Sequence, residues 1–173
     1  MTVKLPSAEA AIAELLSIMA RLRDPDGGCP WDLKQDFDSI VPYTVEEAFE
    51  VAEAVARRDY PELKEELGDL LLQVVFHSQM AREQGLFDFS EVVAVLNDKM
   101  VRRHPHVFGN RTAEDEQAVK VNWEAIKAEE RARKGREYDS ALDGVPEGLP
   151  ALQRAHKLQK KASKVGFDWR ATA

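Results

Sequence analysis

The chain has 173 residues and a mass of 19.5 kDa, enough for one domain with an appendage. Hydrophobic residues make up 44%, so a sizeable core can form, and charged residues reach 32% with a net charge of −7, which disfavours long nucleic acids and membrane surfaces as partners. One cysteine, Cys29, excludes an intramolecular disulfide framework and a multi-cysteine zinc site.

No apolar run near the start reads as a signal peptide, and no stretch approaches ~18 consecutive apolar residues. A reducing, cytoplasmic setting without membrane or nucleic-acid partners is therefore the expectation. The charge is unevenly placed: residues 151–173 carry +5, and residues 44–70 carry nine acids against three bases. That acidic stretch is either a solvated face or a site.

The pattern is helical nearly throughout. Ser7 caps a first helix to about Leu22, with Ile12, Leu15, Leu16, Met19 and Leu22 on one face. An irregular segment from Arg23 to about Pro42 is rich in turn formers. A second helix ends near Arg58, and its start is open between Ser39, with Pro42 in the first turn, and Thr44, with Glu47 completing a capping box. A third helix opens near Pro61 and stops before Gly85. A fourth runs from Ser90 to about Arg103, where His104-Pro105-His106 breaks it. A fifth covers about Thr112 to Arg133, then a loop runs from Gly135 to Pro150, and a basic helix spans roughly Ala151 to Lys164. No segment shows sustained strand alternation, so the fold class is all-α.

The third helix reads Leu-Leu-Leu-Gln-Val-Val-Phe from Leu70 to Phe76 and is expected to be buried all round. At ~100° per residue, Glu62, Glu66, Asp69 and Gln73 share one of its faces. That arrangement carries charge into the interior, which is costly without cations. The second helix puts Val45, Ala48, Phe49, Ala52, Val55 and Ala56 on its core face. Glu47 and Glu50 lie roughly opposite, with Glu46 and Glu53 at the margins. Alone, that acidic side is a solvated face. The short turn Arg57-Arg58-Asp59-Tyr60, however, makes the two helices antiparallel neighbours. Val51 and Ala54 flank the acids, so this side also has something to pack.

Two such helices aim four carboxylates into one space, a hard-oxygen set suited to Mg²⁺ or Mn²⁺. A bundle-type di-iron site needs Glu-x-x-His pairs, and none of the four histidines follows a glutamate at that spacing.

Glu46-Glu47-Ala48-Phe49-Glu50, fifteen residues, then Glu66-Leu67-Gly68-Asp69 resembles the E-E-x-x-E…E-x-x-D signature of the all-α nucleoside triphosphate pyrophosphohydrolases. The flanks resemble the MazG branch: Cys29-Pro30-Trp31-Asp32, Lys99-Met100-Val101-Arg102-Arg103-His104-Pro105-His106, and Asn122-Trp123-Glu124-Ala125-Ile126-Lys127. The resemblance implies a helical bundle of five to six helices with a four-helix catalytic core, tightly dimerised. It implies a domain over residues 8–134, followed by a linker-like loop and basic helix over 135–173. It implies hydrolysis of NTPs or dNTPs to the monophosphate and pyrophosphate.

By motif position, Glu47, Glu50, Glu66 and Asp69 would hold Mg²⁺, with Mn²⁺ as substitute, and Glu46 or Glu47 would take the water's proton. Lys99, Arg102 and Arg103 would meet the triphosphate, and Trp123 and Lys127 the nucleotide. Trp31 would stack on a base or plug the core beneath its loop. Lys64 is a marginal phosphate candidate. Narrower dUTP, dCTP or phosphoribosyl-ATP hydrolysis, or a catalytically silent dimerisation module, are the alternatives.

Overall fold

The computed structural model describes residues 6–110, 115–133, 135 and 140–167. Among these residues there are helices and no strand: α1 (Ala8–Leu22), α2 (Pro30–Lys34), α3 (Phe37–Arg57), α4 (Tyr60–Glu83), α5 (Phe89–Arg103), α6 (Pro105–Phe108), α7 (Glu116–Arg133) and α8 (Ala151–Lys164). Six are long. The short ones, α2 and α6, fall in segments expected to be irregular. None of the described helices is long and apolar enough to cross a membrane. The chain divides into two compact units, residues 1–99 and 100–173, with α5 spanning the division.

In the first unit, Ser7 caps α1 by accepting from the Ala10 amide at 3.3 Å. Met19 of α1, Ile40 of α3, and Val75, Phe76 and Met80 of α4 form the buried core, with Leu15, Leu16, Phe37, Leu71, Leu72 and Phe89 packed around it. The segment after α1 is held by one side chain. Arg23 is 9% exposed and donates through Nε and Nη2 to the Glu83 carboxylate. Its Nη1 donates to the carbonyls of Asp32, at 2.5 Å, and Gln35, at 3.2 Å. Its guanidinium lies 5.4 Å from the Phe76 ring centre. This clamp explains how a stretch rich in turn formers becomes an ordered loop carrying α2. Pro30 opens α2, where its missing N–H costs nothing.

The start of α3 differs from both sequence readings. Asp36 is the N-cap and Ser39 the third helical residue; each side chain accepts from the other's backbone N–H, at 2.8 and 2.9 Å. Thr44 cannot cap, because its hydroxyl donates to the Ile40 carbonyl at 3.2 Å. Pro42 therefore lies inside the helix rather than in its first turn. There, as the sixth residue of the helix, it removes one backbone donor close to the helix start.

The expected faces of α3 are also inverted. Ile40 and Ala54 are buried, and Thr44, Glu47 and Val51 are half-buried on the same arc, the one that meets α4. Val45, Phe49 (47% exposed) and Val55 (56%) face outward, as do Ala48, Ala52 and Ala56. The packed arc thus carries Glu47 toward α4, while the stronger apolar stripe, with its alanines, is left outside. Nor is α4 buried all round. Its burial starts at Gln73, while Leu67 and Val74 remain exposed. At α5, Asp88 and Glu91 form a reciprocal cap, each side chain accepting from the other's amide at 3.0 Å, so the helix begins at Phe89 rather than Ser90.

In the second unit, the break at His104 is followed by the single turn of α6. The expected start of α7 at Thr112 lies outside the described residues. The basic helix α8 is more than a solvated face: Lys164 pairs with Glu124 of α7 at 3.1 Å, and Lys161 donates to the Asp143 carbonyl.

Candidate functional site

The chain leaves α3 through Arg58, in the left-handed conformation at φ 58°, and Asp59 then caps α4 by accepting from the Glu62 amide. With two residues between them, α3 and α4 pack along their length. Thr44 lies beside His77 and Glu47 beside Asp69, so the pair is antiparallel. One carboxylate oxygen each from Glu47, Glu66 and Asp69 lies within 4.8 Å of the others. Glu50 joins them: its carboxyl is close enough to act on both Glu47 and Glu66. Glu62, one turn before Glu66, adds a further charge.

The electrostatics are those of crowded acids. Burial, and then the proximity of Glu50, Asp69 and Glu66, pushes the Glu47 carboxyl above its ordinary range. Burial, and then Glu50 and Glu62, does the same to Glu66. The side chains that raise these two groups are all carboxylates. An all-oxygen, anionic, convergent donor set fits a hard divalent cation.

Glu46 lies exposed on α3, outside the group whose oxygens converge. Lys64 is exposed on the first turns of α4, and Lys99 is half-buried near the end of α5. Trp31, on α2, packs partly against the core. Its ring meets the Tyr43 ring at 5.9 Å and the core residue Phe76 at 6.4 Å, both edge-on, and half of the residue stays exposed.

The second unit gathers Arg102, Arg103 and Trp123. The Arg103 guanidinium lies 5.3 Å from the Trp123 ring centre. His104 meets Trp123 edge-on at 4.9 Å, with its Nδ1 2.7 Å from the Met100 carbonyl oxygen. Lys127, one turn beyond Trp123, pairs loosely with Glu124 at 3.6 Å. The residue that sequence reasoning missed is Glu130, whose carboxylate accepts from both Arg102 and Arg103. Its signal was present: Trp123, Lys127 and Glu130 recur at i, i+4 and i+7 along one face of α7.

Residues 35–108, which contain α3, α4 and the acidic group, match the family described as MazG nucleotide pyrophosphohydrolase domain. The chain is 56% identical over 158 residues to a nucleoside triphosphate pyrophosphohydrolase of Escherichia coli, covering 91% of this chain and 59% of that protein. It is 47% identical over 157 residues to a Thermotoga maritima protein named nucleoside triphosphate pyrophosphohydrolase/pyrophosphatase MazG, covering 91% and 58%. The chain thus spans about three-fifths of the length of these curated relatives. A crystal structure of a MazG-related protein from Thermotoga maritima superimposes with a TM-score of 0.56 at 27% identity, over 67% of this chain and 98% of that one. The matched segment is centred on the acidic helix pair, so over residues 35–108 the chain is similar to the MazG nucleotide pyrophosphohydrolase domain.

Proposed function

We propose that the chain hydrolyses nucleoside triphosphates, NTPs or dNTPs, to the monophosphate and pyrophosphate, with water attacking the α-phosphorus in a Mg²⁺-dependent reaction. The convergence of Glu47, Glu66 and Asp69, with Glu50 beside them, carries the reading. These four carboxylates would hold the ion, with Mn²⁺ as a substitute. When bound, Mg²⁺ supplies charge neutralisation to phosphate oxygens and a template for in-line attack.

The chain's own groups do the rest. Lys99, Arg102 and Arg103 bind the triphosphate and stabilise charge on the departing pyrophosphate. Trp123 and Lys127 contact the nucleotide, and Trp31, with half its surface exposed, offers a face for the base. Lys64 is the outlying phosphate contact. The proton lost by water goes to Glu46 or Glu47. The attack forms an oxygen–phosphorus bond and breaks the bond from the α-phosphorus to the bridging oxygen, which leaves with the pyrophosphate.

We further place catalysis in residues 8–134, with 135–173 serving as a connecting segment, in a cytoplasmic homodimer. The apolar arc Val45, Phe49 and Val55 on α3, with Leu67 and Val74 on α4, supports the dimer, because an exposed patch of that kind marks an association surface. The test of function is pyrophosphate release from the common NTPs and dNTPs, with Mg²⁺ and with chelator. Release from at least one nucleotide, lost with chelator, is expected. No release from any of them overturns the proposal.

A further inference from the structure

Glu130 stands where two arginines converge. The Arg103 Nη2 donates to its Oε2 at 2.6 Å, and the Arg103 Nε reaches both oxygens at 3.3 and 3.4 Å. The Arg102 Nη1 donates to Oε1 at 2.5 Å. The Glu130 side chain is 13% exposed and that of Arg103 18%, so this is a partly desolvated pairing rather than a loose surface contact. The Glu130 carboxyl is held down at about 2, first by its hydrogen bonds from Arg103, despite some burial, with Arg102 adding to the effect. It is a carboxylate at any working pH.

The geometry of the fork matters. Glu130 takes the Nε–Nη2 edge of Arg103, while the same guanidinium lies over the Trp123 ring. Nη1 of Arg103 is not used by Glu130. His104 in turn supports Trp123 from its edge. A flexible arginine is thereby fixed on two sides before any ligand arrives. A group so fixed loses less freedom on binding than a mobile one. The three charged side chains together keep a net charge of +1, so the pairing orients the arginines without cancelling them.

We propose that Glu130 is a positioning residue for the triphosphate: it holds Arg103 against Trp123 and aligns Arg102, so that the two guanidinium groups meet the phosphate chain pre-oriented. This rests on the reading of Arg103 and Trp123 as nucleotide-binding residues. Glu130 itself touches no phosphate; its effect passes through the arginines. The opposite role, a carboxylate that competes with the triphosphate for the arginines, predicts the opposite sign.

The test uses the full chain and compares wild type, Glu130→Gln, Glu130→Asp and Arg103→Ala in pyrophosphate release at saturating Mg²⁺. Glu130→Gln keeps the shape and removes the charge. It should raise KM about tenfold, the scale of a weakened charge-assisted hydrogen bond. It should leave the Mg²⁺ dependence unchanged. Glu130→Asp keeps the charge and should give an intermediate KM. An unchanged or lowered KM in Glu130→Gln overturns the positioning role. If that variant does not fold, a wild-type KM in Glu130→Asp does so instead. Arg103→Ala separates the two claims. If it raises KM while Glu130→Gln does not, only the role of Glu130 falls. If Arg103→Ala leaves KM unchanged, the nucleotide-site reading falls with it.

Discussion

At Glu47 and Glu66, burial and like charge both disfavour the ionised carboxyl, so in the absence of a cation these side chains oppose the fold they sit in. Glu47→Gln removes one of the converging charges and keeps the shape. Its melting temperature in chelator is expected to exceed that of wild type by roughly 2 °C. The stabilisation that Mg²⁺ gives wild type should shrink in the variant, as a thermal scan with and without Mg²⁺ will show. His77 acts in the acid range. Burial lowers its pKa from 6.5, with its ring stacked on Phe37 at 5.9 Å and Nε2 near the Thr44 hydroxyl. Just below pH 6.5 the unfolded chain binds more protons at this position than the folded one, so stability falls as pH drops. His77→Gln should flatten that part of the pH profile in urea titrations. Residue identity made the acids legible, since Glu47, Glu50, Glu66 and Asp69 stand at helical spacing. Glu130 was not singled out, because Glu129-Glu130 in a highly charged helix end looks solvated until the two arginine partners of Glu130 are seen.

Among the elements, the long helices were legible from periodicity, and α1, α4 and α8 start and stop close to where caps and glycines place them. The start of α3 was not, because Ser39 and Thr44 both look like caps. Asp36 takes the role by pairing with Ser39, and Pro42 is absorbed. The facing of α3 was misread for a related reason. Hydrophobicity picks out Val45, Phe49 and Val55, whereas the packing against α4 uses Ile40, Val51 and Ala54. The loop after α1 depends on a glycine. A Cβ at Gly28 would lie 2.4 Å from the Leu22 carbonyl oxygen and 2.6 Å from that of Asp24. Gly28→Ala is therefore expected to destabilise by about 1–3 kcal/mol, the range for overpacking, as measured by chemical denaturation. Arg23→Ala should free the same loop, since it removes the contacts to Glu83, Asp32 and Gln35 together. Faster amide exchange over residues 24–35 will report it.

For the molecule as a whole, the net charge of −7 first suggested only a chain that avoids polyanions. The acids are instead concentrated on α3 and α4, and a small polyanion accompanied by a divalent ion is compatible with that charge. The apolar arc left outside α3 and α4 explains why a sequence pattern that looked like a core face lies on the surface of a single chain. Phe49→Asp should shift a dimer toward monomer in sedimentation while the helical content is kept. Sequence could not tell this outward stripe from a core face, because both are built of the same residue types. The central claim is that the carboxylates of α3 and α4 form a working metal site. Its most direct test is pyrophosphate release by Glu66→Gln and Asp69→Asn across a Mg²⁺ titration, with folding checked by circular dichroism. The account predicts folded variants whose release falls by about a hundredfold or more and no longer responds normally to Mg²⁺. Wild-type release with an unchanged Mg²⁺ dependence in both variants would contradict it.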